Sequence, residues 1–134
     1  MMKIGYKFRR MRKTLDLTLE EVADKVGTNI TTLSMFERDG ANISMHTFLD
    51  LCSFYGVEML DMMEIEIGNS FLQYIKNAED IGKNILLCRT LAGYSRYKLA
   101  EMADCSEVTI SLIEKNILIP TVDTFRRLVI IFAE

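Results

Sequence analysis

The chain repeats itself, and that repeat constrains its fold more than any other feature. Displacing the 134-residue sequence by 77 positions lays residues 4–56 on residues 81–133 without a gap. Ten of the 53 columns are identical: Ile4/Ile81, Gly5/Gly82, Arg12/Arg89, Ala23/Ala100, Thr32/Thr109, Ser34/Ser111, Glu37/Glu114, Thr47/Thr124, Phe48/Phe125 and Leu51/Leu128. Between them the apolar character persists, as in Phe8/Ile85, Val22/Leu99, Leu33/Ile110, Phe36/Ile113 and Tyr55/Phe132. A period sustained in this way marks one supersecondary unit built twice. The repeat leaves residues 64–80 largely outside.

The period within each copy is helical. Ile4, Phe8, Met11 and Leu15 recur at the spacing of one helix face. Thr18 with Glu21 three residues later reads as a capping box opening a second helix, with Leu19, Val22, Ala23 and Val26 inward. Gly27 ends that helix in a left-handed conformation that glycine adopts without steric cost. Asn29 caps a third helix, with Leu33 and Phe36 inward, stopping near Asp39 and Gly40. Ser44 caps a fourth, with Phe48, Leu51, Cys52 and Tyr55 inward, and a short fifth follows with Met59, Leu60 and Met63 inward. The second copy begins with Ile81, Ile85, Cys88 and Leu91 or Ala92, and Gly93 closes that helix. Ser95 takes the place of Thr18, Asp104 that of Gly27 and Ser106 that of Asn29, and Pro120-Thr121 opens the fourth helix. The counterpart of the fifth helix would fall beyond Glu134. With only 7 Gly and 1 Pro, the composition disfavours a β-sandwich and its regular turns. The expected architecture is all-α, two tandem small helical bundles: residues 1–66, a connector over 67–79, and residues 80–134.

Five short helices with a tight turn between the second and third resemble the lambda-repressor/Cro, or Xre, type of helix-turn-helix domain. The resemblance rests on Leu17-Thr18-Leu19-Glu20-Glu21-Val22-Ala23, Gly27-Thr28-Asn29, Leu33-Ser34-Met35-Phe36-Glu37-Arg38 and Ile43-Ser44 leading to Phe48 and Leu51. In the second copy it rests on Tyr94-Ser95, Leu99-Ala100, Cys105-Ser106, Ile110-Ser111, Glu114 and Pro120-Thr121 leading to Phe125 and Leu128. Ala23 and Ala100 sit where the two helices of the turn cross, and a larger side chain would hold them apart.

The resemblance implies that the third helix of each copy enters the major groove of double-stranded DNA. The base-reading residues would then be Asn29, Ile30, Thr31, Thr32, Ser34 and Met35, and in the second copy Ser106, Glu107, Val108, Thr109 and Ser111. Thr and Asn can reach base edges, and Ile or Met can touch thymine methyls. Phosphate contacts would come from Thr18, Arg38, Asn42, Ser95, Arg96, Lys115 and Asn116. The family's usual Gln at the start of the second helix is replaced by Leu19 and Arg96. Glu107 would meet phosphate repulsion unless it accepts from cytosine, so the first copy is expected to be the better reader. Two readers on one chain would contact successive grooves, ~34 Å apart.

Charge location qualifies the acidic total of −3. Residues 1–56 carry 8 Lys/Arg against 7 Asp/Glu, residues 57–80 carry 1 against 6, and residues 81–134 carry 7 against 6, so most of the acidity lies in residues 57–80. The first helix gathers Lys3, Lys7, Arg9, Arg10, Arg12 and Lys13, a cluster suited to phosphate. Met62, Met63, Ile65, Ile67, Phe71, Leu72 and Ile75 make the connector apolar. They are expected to pack within the chain, with a homodimer or other protein contact as the alternative.

The expected function is therefore a sequence-specific, repressor-like regulator of prokaryotic or phage type that performs no catalysis. The alternative is a protein-interaction module, an anti-repressor or inhibitor, that keeps the helix-turn-helix fold. One histidine, His46, and three scattered cysteines (Cys52, Cys88 and Cys105) predict no metal or other cofactor and no disulfide framework, as in a cytoplasmic protein. No apolar run reaches the ~20 residues of a membrane span.

Overall fold

The computed structural model describes residues 4–39, 42–63, 75 and 77–133. Among them are nine helices and no strand: α1 (Ile4–Thr14), α2 (Leu19–Val26), α3 (Ile30–Asp39), α4 (Met45–Tyr55), α5 (Met59–Met62), α6 (Glu79–Ala92), α7 (Arg96–Ala103), α8 (Glu107–Glu114) and α9 (Val122–Ala133). The all-α expectation of two tandem helical bundles holds. Two compact units result, Met1–Ile43 with Thr47–Glu64 and Ser44–His46 with Ile65–Glu134. No helix among the described residues is long and apolar enough to cross a membrane.

The first unit closes around Phe8. Its ring lies 5.6 Å from those of Phe36 and Phe48 and 5.8 Å from that of Tyr55, so α1, α3 and α4 meet on one aromatic cluster. Val22, Leu33 and Leu51 complete the core. The second unit does the same with one aromatic ring among aliphatic residues, burying Phe125 with Ile85, Leu99, Ile110, Ile113 and Leu128.

Caps and turns follow the sequence signals. Thr18 Oγ1 accepts from the Glu21 backbone N–H and the Glu21 carboxylate accepts from that of Thr18, both at 3.0 Å, closing the capping box. Ser95 Oγ accepts from the Lys98 N–H at 3.0 Å. Gly27 (φ 74°) and Asp104 (φ 54°) hold the same left-handed position after α2 and α7.

The end of the first helix departs from expectation in both copies. Leu15 is 57 % exposed and Leu91 66 %, and Ala92 is exposed as well. The buried face of α1 is Gly5, Phe8 and Arg12 instead. A charged residue occupies the inward position that a hydropathy pattern assigns to the next apolar one, and the final turn overhangs the core. In α5 Met62 is buried rather than Leu60, and Met63 is also buried, so these two belong to the first unit's core. Of the other apolar connector residues Ile75 is buried, while Ile65, Ile67, Phe71 and Leu72 lie outside the described residues.

Candidate nucleic-acid interface

In each unit the third helix is anchored by one face and leaves the other open. Leu33 and Phe36 are 2 % and 3 % exposed, and Ile110 and Ile113 are fully buried. The first helix crosses directly beneath. A Cβ on Gly5 would strike the carbonyl oxygen of Phe36, and one on Gly82 that of Ile113, so these identical glycines are the positions where two backbones touch.

A buried ion pair locks the same crossing. Arg12 Nε donates to both carboxylate oxygens of Glu37, at 3.0 and 3.1 Å, and an Nη of Arg12 donates to the Leu17 carbonyl at 2.8 Å. In the second unit Arg89 reaches Glu114 at 2.6 and 3.1 Å and the Tyr94 carbonyl at 3.0 Å. Each arginine thus ties the first helix, the turn before the second helix and the end of the third into one assembly. Burial raises the Glu37 carboxyl above its ordinary range against the pull of Arg12. The pair went unforeseen, although its signal was present: among the ten identical columns, the two charged ones are its two partners.

The base-reading set divides by helical position. On α3 Ile30, Thr31 and Met35 are exposed and Ser34 half-buried, and all four share one face at i, i+1, i+4 and i+5. Thr32 is half-buried to the side. Asn29 is exposed, but its Oδ1 accepts from the Thr32 N–H at 2.7 Å. That cap engages one lone pair of the oxygen that a bidentate adenine contact would also use. On α8 Glu107 and Val108 are exposed and Ser111 half-buried. Ser106 and the half-buried Thr109 satisfy each other, hydroxyl to hydroxyl at 2.8 Å and Thr109 N–H to Ser106 Oγ at 3.0 Å. The outer face of α3 is therefore small, polar and apolar, whereas that of α8 opens on a carboxylate.

The phosphate set is similarly sorted. Thr18 and Ser95 stand exposed at the starts of α2 and α7, where helix N-termini favour anions. Arg38 and Asn42 are exposed at and after the end of α3, and Lys115 after that of α8. Arg96, 45 % exposed, is held through Nε by Glu114 Oε1 at 3.0 Å, making Glu114 the shared partner of two arginines. Asn116 takes a left-handed conformation (φ 58°) and its amide donates to the Glu79 carbonyl at 3.0 Å, so it braces α6. In the cationic cluster of α1, Arg12 is turned inward and Lys7 donates to the Met62 carbonyl at 3.3 Å, while Arg10 and Lys13 remain exposed. No group of metal-binding side chains occurs among the described residues.

A protein-family model described as helix-turn-helix matches the chain twice, over residues 8–62 and 85–132. The two matches begin 77 residues apart, at the displacement of the internal repeat. No curated protein and no solved structure matches the chain. The family is one of DNA-binding regulatory domains and is not typically enzymatic. Together the matches span most of the sequence, and the chain belongs to the helix-turn-helix family, of the lambda-repressor/Xre type, in two tandem copies.

Proposed function

We propose that the protein is a cytoplasmic transcriptional regulator that reads double-stranded DNA with the outer face of α3 and represses by occupying its site. The domains are residues 1–66 and 80–134, joined by 67–79. The observation that carries this reading is the anchoring of α3. Its inner face is fixed by Leu33, Phe36 and the Arg12–Glu37 pair, while Ile30, Thr31 and Met35 stand outward as a rigid reading edge. Arg38, Asn42 and the start of α2 at Thr18 flank that edge with groups suited to phosphate. Base contacts by Ile30 and Met35 favour thymine methyls, and Thr31 can donate or accept at a base edge.

The second unit supports a different role. The repeat makes the first unit its internal control. Where the first unit has Arg9, Arg10, Thr14, Glu20 and Lys25, the second has Leu86, Leu87, Leu91, Tyr97 and Met102, all exposed. Polar surface has become apolar at matching positions of one fold, and its α8 presents Glu107. We read the second unit as the weaker DNA reader and the one adapted to a protein partner, a second copy of the chain included.

Selection of duplexes from a random pool, followed by fluorescence anisotropy across a salt series, tests the proposal. A preferred sequence whose affinity falls steeply with salt is expected. Failure to enrich any sequence, together with salt-independent or absent binding, would overturn the DNA reading and leave the protein-interaction module.

A further inference from the structure

A cavity of about 480 Å³ opens on the first unit, and two of its lining residues, Lys7 and Arg10, belong to the cationic cluster of α1. It is lined by Lys7, Arg10, Met11, Thr14, Leu15 and Tyr55, from the last turns of α1 and the end of α4. We infer that this cavity is a binding site for a small amphipathic anion, a carboxylate or phosphate monoester carrying an apolar body.

The lining has the chemistry of such a site. Met11, Leu15 and the Tyr55 ring give an apolar wall, and a few polar groups converge on it, as in small-molecule pockets of this size. Leu15 is 57 % exposed, an apolar side chain left in water at the cavity's edge. Arg10 forms no ion pair among the described residues, and its guanidinium carbon lies 6.0 Å from the centre of the Tyr6 ring. The Tyr55 hydroxyl is buried and finds no hydrogen-bond partner among the described residues. Burial, reinforced by Glu37, pushes its pKa up to about 12, and with its hydroxyl oxygen closed off from solvent Tyr55 contributes its ring to the wall.

The internal repeat shows that the fold does not require these residues. The counterparts of Lys7, Arg10, Thr14 and Leu15 are Asn84, Leu87, Leu91 and Ala92, on a helix that packs in the same way. Both cations and the hydroxyl are thus specific to the first unit. A cation beside an apolar wall complements an anion with an apolar tail, and a charge-assisted hydrogen bond from Arg10 is the source of selectivity for charge.

The test is an amide NMR titration of the whole chain with octanoate, with octanol and inorganic phosphate as controls. Octanoate is expected to shift the amides of residues 7–15 and of Tyr55 saturably, about tenfold tighter than octanol, the advantage that one charge-assisted hydrogen bond supports. Inorganic phosphate should bind more weakly than octanoate. The double variant Arg10→Leu, Thr14→Leu installs the residues of the second copy and should keep its helical circular dichroism while losing the preference for octanoate over octanol. Equal affinity for octanoate and octanol, equal affinity for bare phosphate, shifts spread beyond this region, or an unaltered preference in the folded double variant would each overturn the inference.

Discussion

Arg12 and Glu37 lie 25 residues apart and join as a buried pair at 3.0 and 3.1 Å, and the same pair recurs as Arg89 and Glu114. The pair fastens the end of the third helix to the first helix, so the orientation of the outer face of α3, the proposed reading edge, depends on it. A buried ion pair is costly to break from one side, because the remaining charge is left without compensation. Arg12→Ala should destabilise the first unit by about 3–5 kcal/mol. Replacing both partners with methionine should cost clearly less. Urea unfolding of the single and double variants measures the difference. Equal losses would mean that the pair acts through packing alone.

Gly5 and Gly82 predict a second, purely steric effect. An added Cβ meets a carbonyl oxygen of the third helix at each position, and backbone on both sides has little room to yield. Gly5→Ala and Gly82→Ala should each destabilise by about 3 kcal/mol, the upper part of the usual range for overpacking. Gly27 has nothing within contact of its missing Cβ, and its need is conformational. Gly27→Asn should therefore be tolerated far better than Gly5→Ala, as thermal unfolding would show.

The capping box predicts a pH signature. The Glu21 carboxyl lies below its ordinary range because it accepts the Thr18 backbone N–H and is coupled to the Thr18 hydroxyl. A depressed carboxylate contributes stability that is complete above its unfolded value and is lost as pH falls through the lowered folded one. Thr18→Ala keeps the backbone N–H, the larger cause, and removes the hydroxyl, so Glu21 should rise only part of the way toward the ordinary range, measured by NMR titration. The substitution should also cost about 1 kcal/mol, the usual loss for an N-cap.

DNA binding should separate the two kinds of contact. Thr31→Ala with Thr32→Ala is expected to relax sequence preference. Arg38→Ala should weaken all sequences alike and lower the salt slope by about 1. The selection and salt series are repeated on each variant. An unchanged preferred site in the threonine variant would remove the base-reading role from α3.

Much of the candidate site was legible because it rests on local rules. Thr18, Asn29, Ser95 and Ser106 cap helices, and the side-chain types that do this are few. The same rule hid a second demand on one atom, since the Asn29 oxygen that would meet a base also accepts the cap bond. Asn116 and Arg96 could be placed near the ends of helices by register. Their engagement with Glu79 and Glu114 depended on where other helices came to rest.

The repeat, the helical period and the caps determined on their own that this chain builds one helix-turn-helix module twice, because each depends on residues within a few turns of one another. The tertiary structure alone decided why particular columns are identical. Gly5 and Gly82 are small because a backbone from the third helix passes against them. Arg12 and Arg89 face inward because a carboxylate 25 residues away is brought to meet them. Hydropathy treats a charge as surface, and only the folded arrangement supplies the opposite charge and carbonyl that make its burial tolerable.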